Sequence, residues 1–251
     1  MILALDIGNT NVVLGCIEDG EILFTERMAT DSGLDYAISL KMVLELREIK
    51  VSEITGAIIG SVVPPVTSLM REAIRKVTGQ EALVVNVDMN IGLEVLMDNP
   101  SSVGTDLIVG AVAGINRYPV PLILIDMGTA TTICVVNENK QYIGGMILPG
   151  IGVSMNSLTS RTAQLPRISL DPPKRLIGKN TVECMQSGAL YGNASCIDGM
   201  VDRIEEELGQ KATVVATGGL ARKIIPLCRH QIELDDELLL RGLWIIYKKN
   251  K

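Results

Sequence analysis

A short apolar strand that runs into Asp-x-Gly, then a second strand, a hairpin turn and a third strand, occurs twice in this sequence. The first copy is Ile2 to Leu5, a Gly-Asn-Thr-Asn turn, Val12 to Ile17, Glu18-Asp19-Gly20, and Ile22 to Met28. The second is Leu122 to Asp126, a Met-Gly-Thr-Ala turn, Thr131 to Val136, Asn-Glu-Asn, and a strand from Gln141. Aligning Asp6 with Asp126 aligns Gly8 with Gly128 and brings the hairpin turns at Asp19 and Glu138 within one residue of register, the mark of a diverged internal duplication. Such a chain is expected to fold as two like α/β halves, 1–113 and 114–251, each around its own sheet, with no disordered linker between them.

The rest of each half follows from periodicity. Asp31-Ser32 reads as an N-cap, after which Leu34, Ile38, Met42, Leu46 and Ile49 recur at helical spacing. Ala57 to Val63 and Leu83 to Val87 read as buried strands on either side of a helical segment, which makes the first half βββαβαβ. In the second half Val182, Met185, Ala189, Cys196, Met200, Ile204 and Leu208 trace one face of a long helix from Asn180 to Leu208. Thr213 to Ala216 reads as a strand, Gly218-Gly219 as a turn, and Asp235 to Tyr247 as a closing helix.

Composition narrows the chemistry. The 251 residues are 47% hydrophobic, enough for one large core or two modest ones, and a net charge of -6 lacks the basic footprint that binding to a phosphate backbone requires. Nucleic acid is therefore not an expected partner. Met1 to Thr10 has no charged region followed by an apolar one, and no stretch stays apolar long enough to span a bilayer, so the expectation is a cytoplasmic chain with no membrane partner. Five scattered cysteines include no Cys-x-x-Cys pair, which argues against a disulfide framework or a zinc site. His230 is the only histidine, so a Ser-His pair or a multi-histidine metal centre is nearly excluded.

Two strand-ending Asp-x-Gly turns suit a polyphosphate held between two halves. Glycine lets backbone N–H groups approach phosphate oxygens, and neighbouring hydroxyls and amides add donors. Asp6, Gly8, Asn9, Thr10 and Asn11 form one turn; Asp126, Gly128 and Thr129 form the other. A carboxylate beside phosphate must act through a cation, so Asp6 is expected to hold Mg2+ or its water shell and Asp126 a second cation. Thr217-Gly218-Gly219-Leu220, between a strand and a helix, would admit an adenine ring and its ribose, or be a plain strand-to-helix turn. Asp106, at the start of a helix from Leu107 to Gly114, is either an acceptor for a substrate proton or a first-turn carboxylate that complements the helix dipole.

Taken together, Asp6-Ile7-Gly8-Asn9-Thr10-Asn11, Asp98-Asn99-Pro100 with Val103-Gly104-Thr105-Asp106, Ile125-Asp126-Met127-Gly128-Thr129-Ala130-Thr131-Thr132, Thr162-Ala163-Gln164-Leu165-Pro166 and Thr217-Gly218-Gly219-Leu220-Ala221 resemble the ordered signature of type III pantothenate kinases, from residue 1 to Asn250. The resemblance implies a duplicated RNase H-like fold of the actin-like ATPase kind, with a central cleft between βββαβα-type halves. It implies a homodimer, joined through the helix from Asn180 to Leu208, that transfers the γ-phosphate of ATP to pantothenate at the start of coenzyme A synthesis. Asp6, Ile7, Gly8, Asn9, Thr10, Asn11, Val12 and Val13 then resemble the ATP phosphate loop, joined by Gly128, Thr129, Gly218 and Gly219. Asp106 resembles the proton acceptor, Asp126 the ligand of a monovalent cation (potassium or ammonium), and Gly104, Thr105, Asp106, Leu107 and Thr181 the pantothenate contacts. Two positions depart from the family: Leu107 stands where it usually has arginine, and Met97 where it usually has tyrosine. Leucine offers no guanidinium and methionine no phenol hydroxyl, so a kinase for another small hydroxylated metabolite, or an ATP-binding regulatory paralogue without turnover, also fits the sequence.

Overall fold

The computed structural model describes residues 1–86 and 88–251; Val87, the expected end of one short strand, lies outside the described residues. The chain divides into two compact units, one of residues Met1–Glu94, Asp98–Asn116 and Glu237–Lys251, the other of Val95–Met97 and Arg117–Asp236. This division differs from a single split at residue 113, because the C-terminal segment belongs with the first unit.

In the first unit β1 (Ile2–Ile7), β2 (Asn11–Glu18) and β3 (Glu21–Ala29) form an antiparallel meander. Helix α1 (Tyr36–Leu46) leads to β4 (Gly56–Ser61), and α2 (Pro64–Thr78) leads to β5 (Ala82–Val84). The sheet order is β3-β2-β1-β4-β5, with β4 and β5 parallel to β1. Leu3, Leu5, Ile7 and Leu14 pack under Leu40 and Leu44 of α1 and Met70 and Ile74 of α2. The opposite face receives α3 (Thr105–Arg117) and the C-terminal helix, Leu238–Lys249. The space above Gly60 of β4 is filled by Leu243, Val109 and Thr105.

One expectation for α1, its N-cap, is corrected. Its N-cap is Asp35, whose side chain accepts from the N–H groups of Ala37 and Ile38 at 3.0 and 3.1 Å, whereas Asp31 closes a local turn onto Gly33. The apolar row Ile38, Met42 and Leu46 is 59%, 55% and 78% exposed, while Tyr36, Leu40 and Leu44 face the core. Helical spacing located the helix but, with apolar residues on both sides, did not say which row is buried.

The second sheet has β6 (Glu94–Val95) at one edge, of which Val95 belongs to the second unit, and the unit continues with β7 (Leu122–Met127), β8 (Ala130–Val136), β9 (Gln141–Pro149), α4 (Ile151–Ser160), α5 (Thr181–Leu208), β10 (Thr213–Thr217), α6 (Ala221–Ile224) and β11 (Glu233–Leu234). Its order, β11-β10-β7-β8-β9-β6, repeats the first sheet with one strand appended, with the same sense at every equivalent pairing. Even the register shift recurs, at Cys16/Ile17 of β2 and at Val135/Val136 of β8. The buried seam of α5 is Met185, Ala189, Leu190, Ala194, Ile197, Val201 and Ile204; Val182 at its start is 41% exposed. Asp235, expected in the closing helix, instead follows β11, its N–H donating to Ala216 O at 2.9 Å.

Candidate nucleotide and acceptor site

The first phosphate-type turn is held by its own backbone and by a residue that the motif does not contain. Gly8 N–H donates to Asn11 O at 3.0 Å, closing the turn at the carboxyl end of β1. Thr30, just beyond β3, donates its hydroxyl to Gly8 O at 2.7 Å and its N–H to Thr10 O at 3.0 Å. With both carbonyls anchored, Asn9 and Thr10 are presented to solvent at the turn's tip. Ile7 and Val12 are fully buried beneath it, and Asp6 is half-buried, paired across the sheet with Val13 on β2 and Gly60 on β4. Thr30 was missed because its contact is made across a hairpin, with no local pattern to mark it.

Asp106 belongs to the same unit. Asp6 and Gly60 are register partners in parallel strands, so they share a sheet face, and that face carries Thr105, the first residue of α3. The fold therefore brings the start of α3 to the end of the sheet where Asp6 lies. Asp106 is half-buried in the first turn of α3, its Oδ1 accepting from Leu107 N–H at 2.9 Å. Gly104 makes room for this: a Cβ there would sit 2.5 Å from Asp106 Oδ1. Leu107, next along the helix, is half-buried.

In the second unit Gly128 N–H donates to Ala130 O at 3.0 Å, a turn one residue shorter than its counterpart. Asp126 pairs with Thr132 on β8 and Thr217 on β10. Gly218 has φ +96°, open to glycine at little cost, and a Cβ on it would lie 2.5 Å from Asp126 Oδ1 and 2.6 Å from Met127 N. The Gly218-Gly219 turn thus rests directly on the Asp126 turn, tied further by Leu220 N–H to Met127 O at 3.3 Å. Gly150, not singled out by the sequence, supports the turn from behind: its N–H donates to Thr129 O at 3.1 Å, and any Cβ would collide with the carbonyls of Gly128 and Thr129. Asp126, Gly128, Thr129, Gly218 and Gly219 are therefore gathered at one sheet end. Met97 also belongs to this unit; its Sδ lies 3.8 Å from the Cβ position of Gly144 on β9, and Leu96 N–H donates to Tyr142 O at 2.8 Å. Thr181 is exposed at the first turn of α5, behind the N-cap Asn180, whose side chain accepts from Glu183 N–H at 2.9 Å.

Carboxylates at the ends of both central strands are hard oxygen donors of the kind that magnesium and alkali cations take. Asp6 and Asp126, each beside a glycine turn, fit such ions chemically. Among the described residues no helix is long and apolar enough to cross a membrane.

Known proteins resemble the chain in sequence and in fold. The family model for type III pantothenate kinase matches residues 2–203. A type III pantothenate kinase from Bacillus cytotoxicus is 44% identical over 253 residues, covering 100% of this chain and 97% of that protein. Among solved structures, component A of (R)-2-hydroxyglutaryl-CoA dehydratase from Acidaminococcus fermentans superposes with TM-score 0.59 at 16% identity, covering 100% of this chain and 99% of the other. The ethanolamine utilization protein EutJ from Carboxydothermus hydrogenoformans superposes with TM-score 0.54 at 14% identity, covering 98% and 89%. The structural likenesses bear on the fold alone, which is the duplicated RNase H-like fold of the actin-like ATPases and sugar kinases.

Proposed function

The chain belongs to the type III pantothenate kinase family, and from that premise we propose that it transfers the γ-phosphoryl group of ATP to the primary hydroxyl of pantothenate, the first step towards coenzyme A. The observation that carries this is the full-length 44% identity to a pantothenate kinase on a fold whose two Asp-x-Gly turns are both built and braced. In this reading the turn from Asp6 to Val13, braced by Thr30, and the turns of Gly128-Thr129 and Gly218-Gly219 bind ATP. Asp106 accepts the hydroxyl proton as the oxygen bonds to phosphorus and the bond from phosphorus to the β,γ-bridging oxygen breaks, releasing ADP. Gly104, Thr105, Leu107 and Thr181 position the acceptor. Asp6 would hold magnesium, directly or through water, and Asp126 a potassium or ammonium ion; such cations, when bound, neutralise charge on the phosphates.

The enzyme is further proposed to be a cytoplasmic homodimer joined through α5. Its support is the family resemblance together with Leu176 and Ile177, just before that helix, and Val182 in its first turn, which leave 60%, 75% and 41% of their surface exposed. The test is an ADP-release assay with and without pantothenate, in potassium and in sodium, with the product identified by mass. Pantothenate-dependent ADP release and phosphopantothenate, both slower in sodium, are expected. ATP binding without pantothenate turnover would overturn the acceptor assignment, and would point to the apolar substitutions Leu107 and Met97 as the reason.

A further inference from the structure

The chain's single histidine takes no part in the site above, yet it is held with care. Asp198, Asp202 and Glu205 stand at successive turns of α5. Asp198, only 9% exposed, accepts the N–H of Arg229 on both carboxylate oxygens at 2.9 Å and the N–H of His230 at 3.1 Å, which pins the segment ahead of β11 to the helix. His230 Nε2 lies 2.8 Å from Asp202 Oδ1. Glu205, 8% exposed, accepts from Lys211 Nζ at 2.6 Å and from Ala212 N–H at 3.1 Å. One donor atom each from Asp202, Glu205 and His230 fall within 4.8 Å of one another. Beside them runs an open groove of about 500 Å³ lined by Ser195, Asp198, Gly199, Asp202, Arg229 and His230.

We propose that Asp202, Glu205 and His230 form a binding site for a divalent transition-metal ion of the zinc type, separate from the nucleotide site and independent of the kinase reading. One imidazole nitrogen and two carboxylate oxygens are a donor set for borderline ions such as zinc or cobalt, and a poor match for magnesium or calcium, which prefer oxygen alone. Metal–donor bonds of roughly 2.0–2.2 Å place donors about 3.4 Å apart around a tetrahedral ion, so the His230–Asp202 pair, at 2.8 Å, needs to open by only a few tenths of an ångström, and the Glu205 donor lies within 4.8 Å of both. Lys211, the cation now on Glu205, is 82% exposed and can return to water. The carboxylates of Asp198, Asp202 and Glu205 outnumber the cations Lys211 and Arg229, so the cluster favours an added positive charge. Remaining coordination positions would open onto the groove and hold water. Cys228 is not part of this donor group; its Sγ lies instead against the carbonyl oxygens of Ile224 and Ala194, at 3.7 and 3.9 Å. A bound ion would staple α5 to the segment before β11 and so stabilise the second unit.

The experiment uses the full chain, stripped with a chelator and free of nucleotide, titrated with zinc and, for its spectrum, with cobalt. One equivalent should bind with a rise in melting temperature, and cobalt should show weak d–d absorption without a thiolate charge-transfer band. His230→Gln and Asp202→Asn should each weaken binding by about tenfold or more, the span seen when a metal site loses a supporting group. The Asp202 side chain is 60% exposed, so Asp202→Asn tests the site without threatening the fold. Equal zinc affinity in wild type and both variants, a thiolate band, or no zinc-dependent melting shift in the wild type would overturn the assignment.

Discussion

Asp106 has two physically distinct roles open to it, and the hydrogen bond from Leu107 N–H to its Oδ1 is compatible with both. If it accepts the substrate proton, Asp106→Asn should lower turnover by about 10²–10⁴-fold with melting nearly unchanged. If it only complements the helix dipole, the variant should lose roughly 0.3–1 kcal/mol of stability and keep its rate. Turnover and melting temperature measured on one preparation separate these. Thr131 carries a second residue-scale prediction. It pairs with Met127 in β8 as Val12 pairs with Ile7 in β2, and its Oγ1 is buried without a hydrogen-bond partner. Val12, at the equivalent apolar site, leaves no such orphan. An unsatisfied buried hydroxyl costs about 1–3 kcal/mol, so Thr131→Val should raise the melting temperature by several degrees in a thermal scan. A lowered melting temperature would mean that the hydroxyl has a use that the protein's own hydrogen bonds do not reveal.

At the scale of elements, the C-terminal helix shows how packing overrides propensity. Gly242 lies inside that helix, where alanine is normally favoured over glycine by about 1 kcal/mol. A Cβ at this position would collide with the backbone carbonyl of Val109 in α3, an atom that cannot step aside without moving a helix. Overpacking of this kind costs about 1–3 kcal/mol and should win, so Gly242→Ala should lower stability in urea denaturation; a gain would show the two helices to be loosely packed. The α1 register teaches the same point. Ile38, Met42 and Leu46 and the alternative row Tyr36, Leu40 and Leu44 both fit a helical period, and only the position of the sheet chose between them.

For the whole molecule, the C-terminal residues complete the first unit rather than the second. Leu238, Leu240, Leu243 and Ile246 are all buried there, and at about 1.5–3 kcal/mol each their burial rivals the net stability of a whole domain, about 5–15 kcal/mol. A chain ending at Asp236 should therefore lose the protease resistance of residues 1–94 before that of 117–236, as limited digestion would show. Simultaneous loss of both would mean that the units do not fold separately. The duplication, the two Asp-x-Gly turns and nearly every long strand were legible in the sequence, because alternation, tight turns and glycine spacing are properties of neighbouring residues. The brace from Thr30 to Gly8 O, the support of Gly150 under Thr129, the buried row of α1 and the approach of His230 to Asp202 were not. Each joins groups on different elements or chooses between two equal local patterns, and local chemistry is the same either way. Only tertiary structure, by deciding which surfaces leave water and which donors meet which acceptors, resolves them.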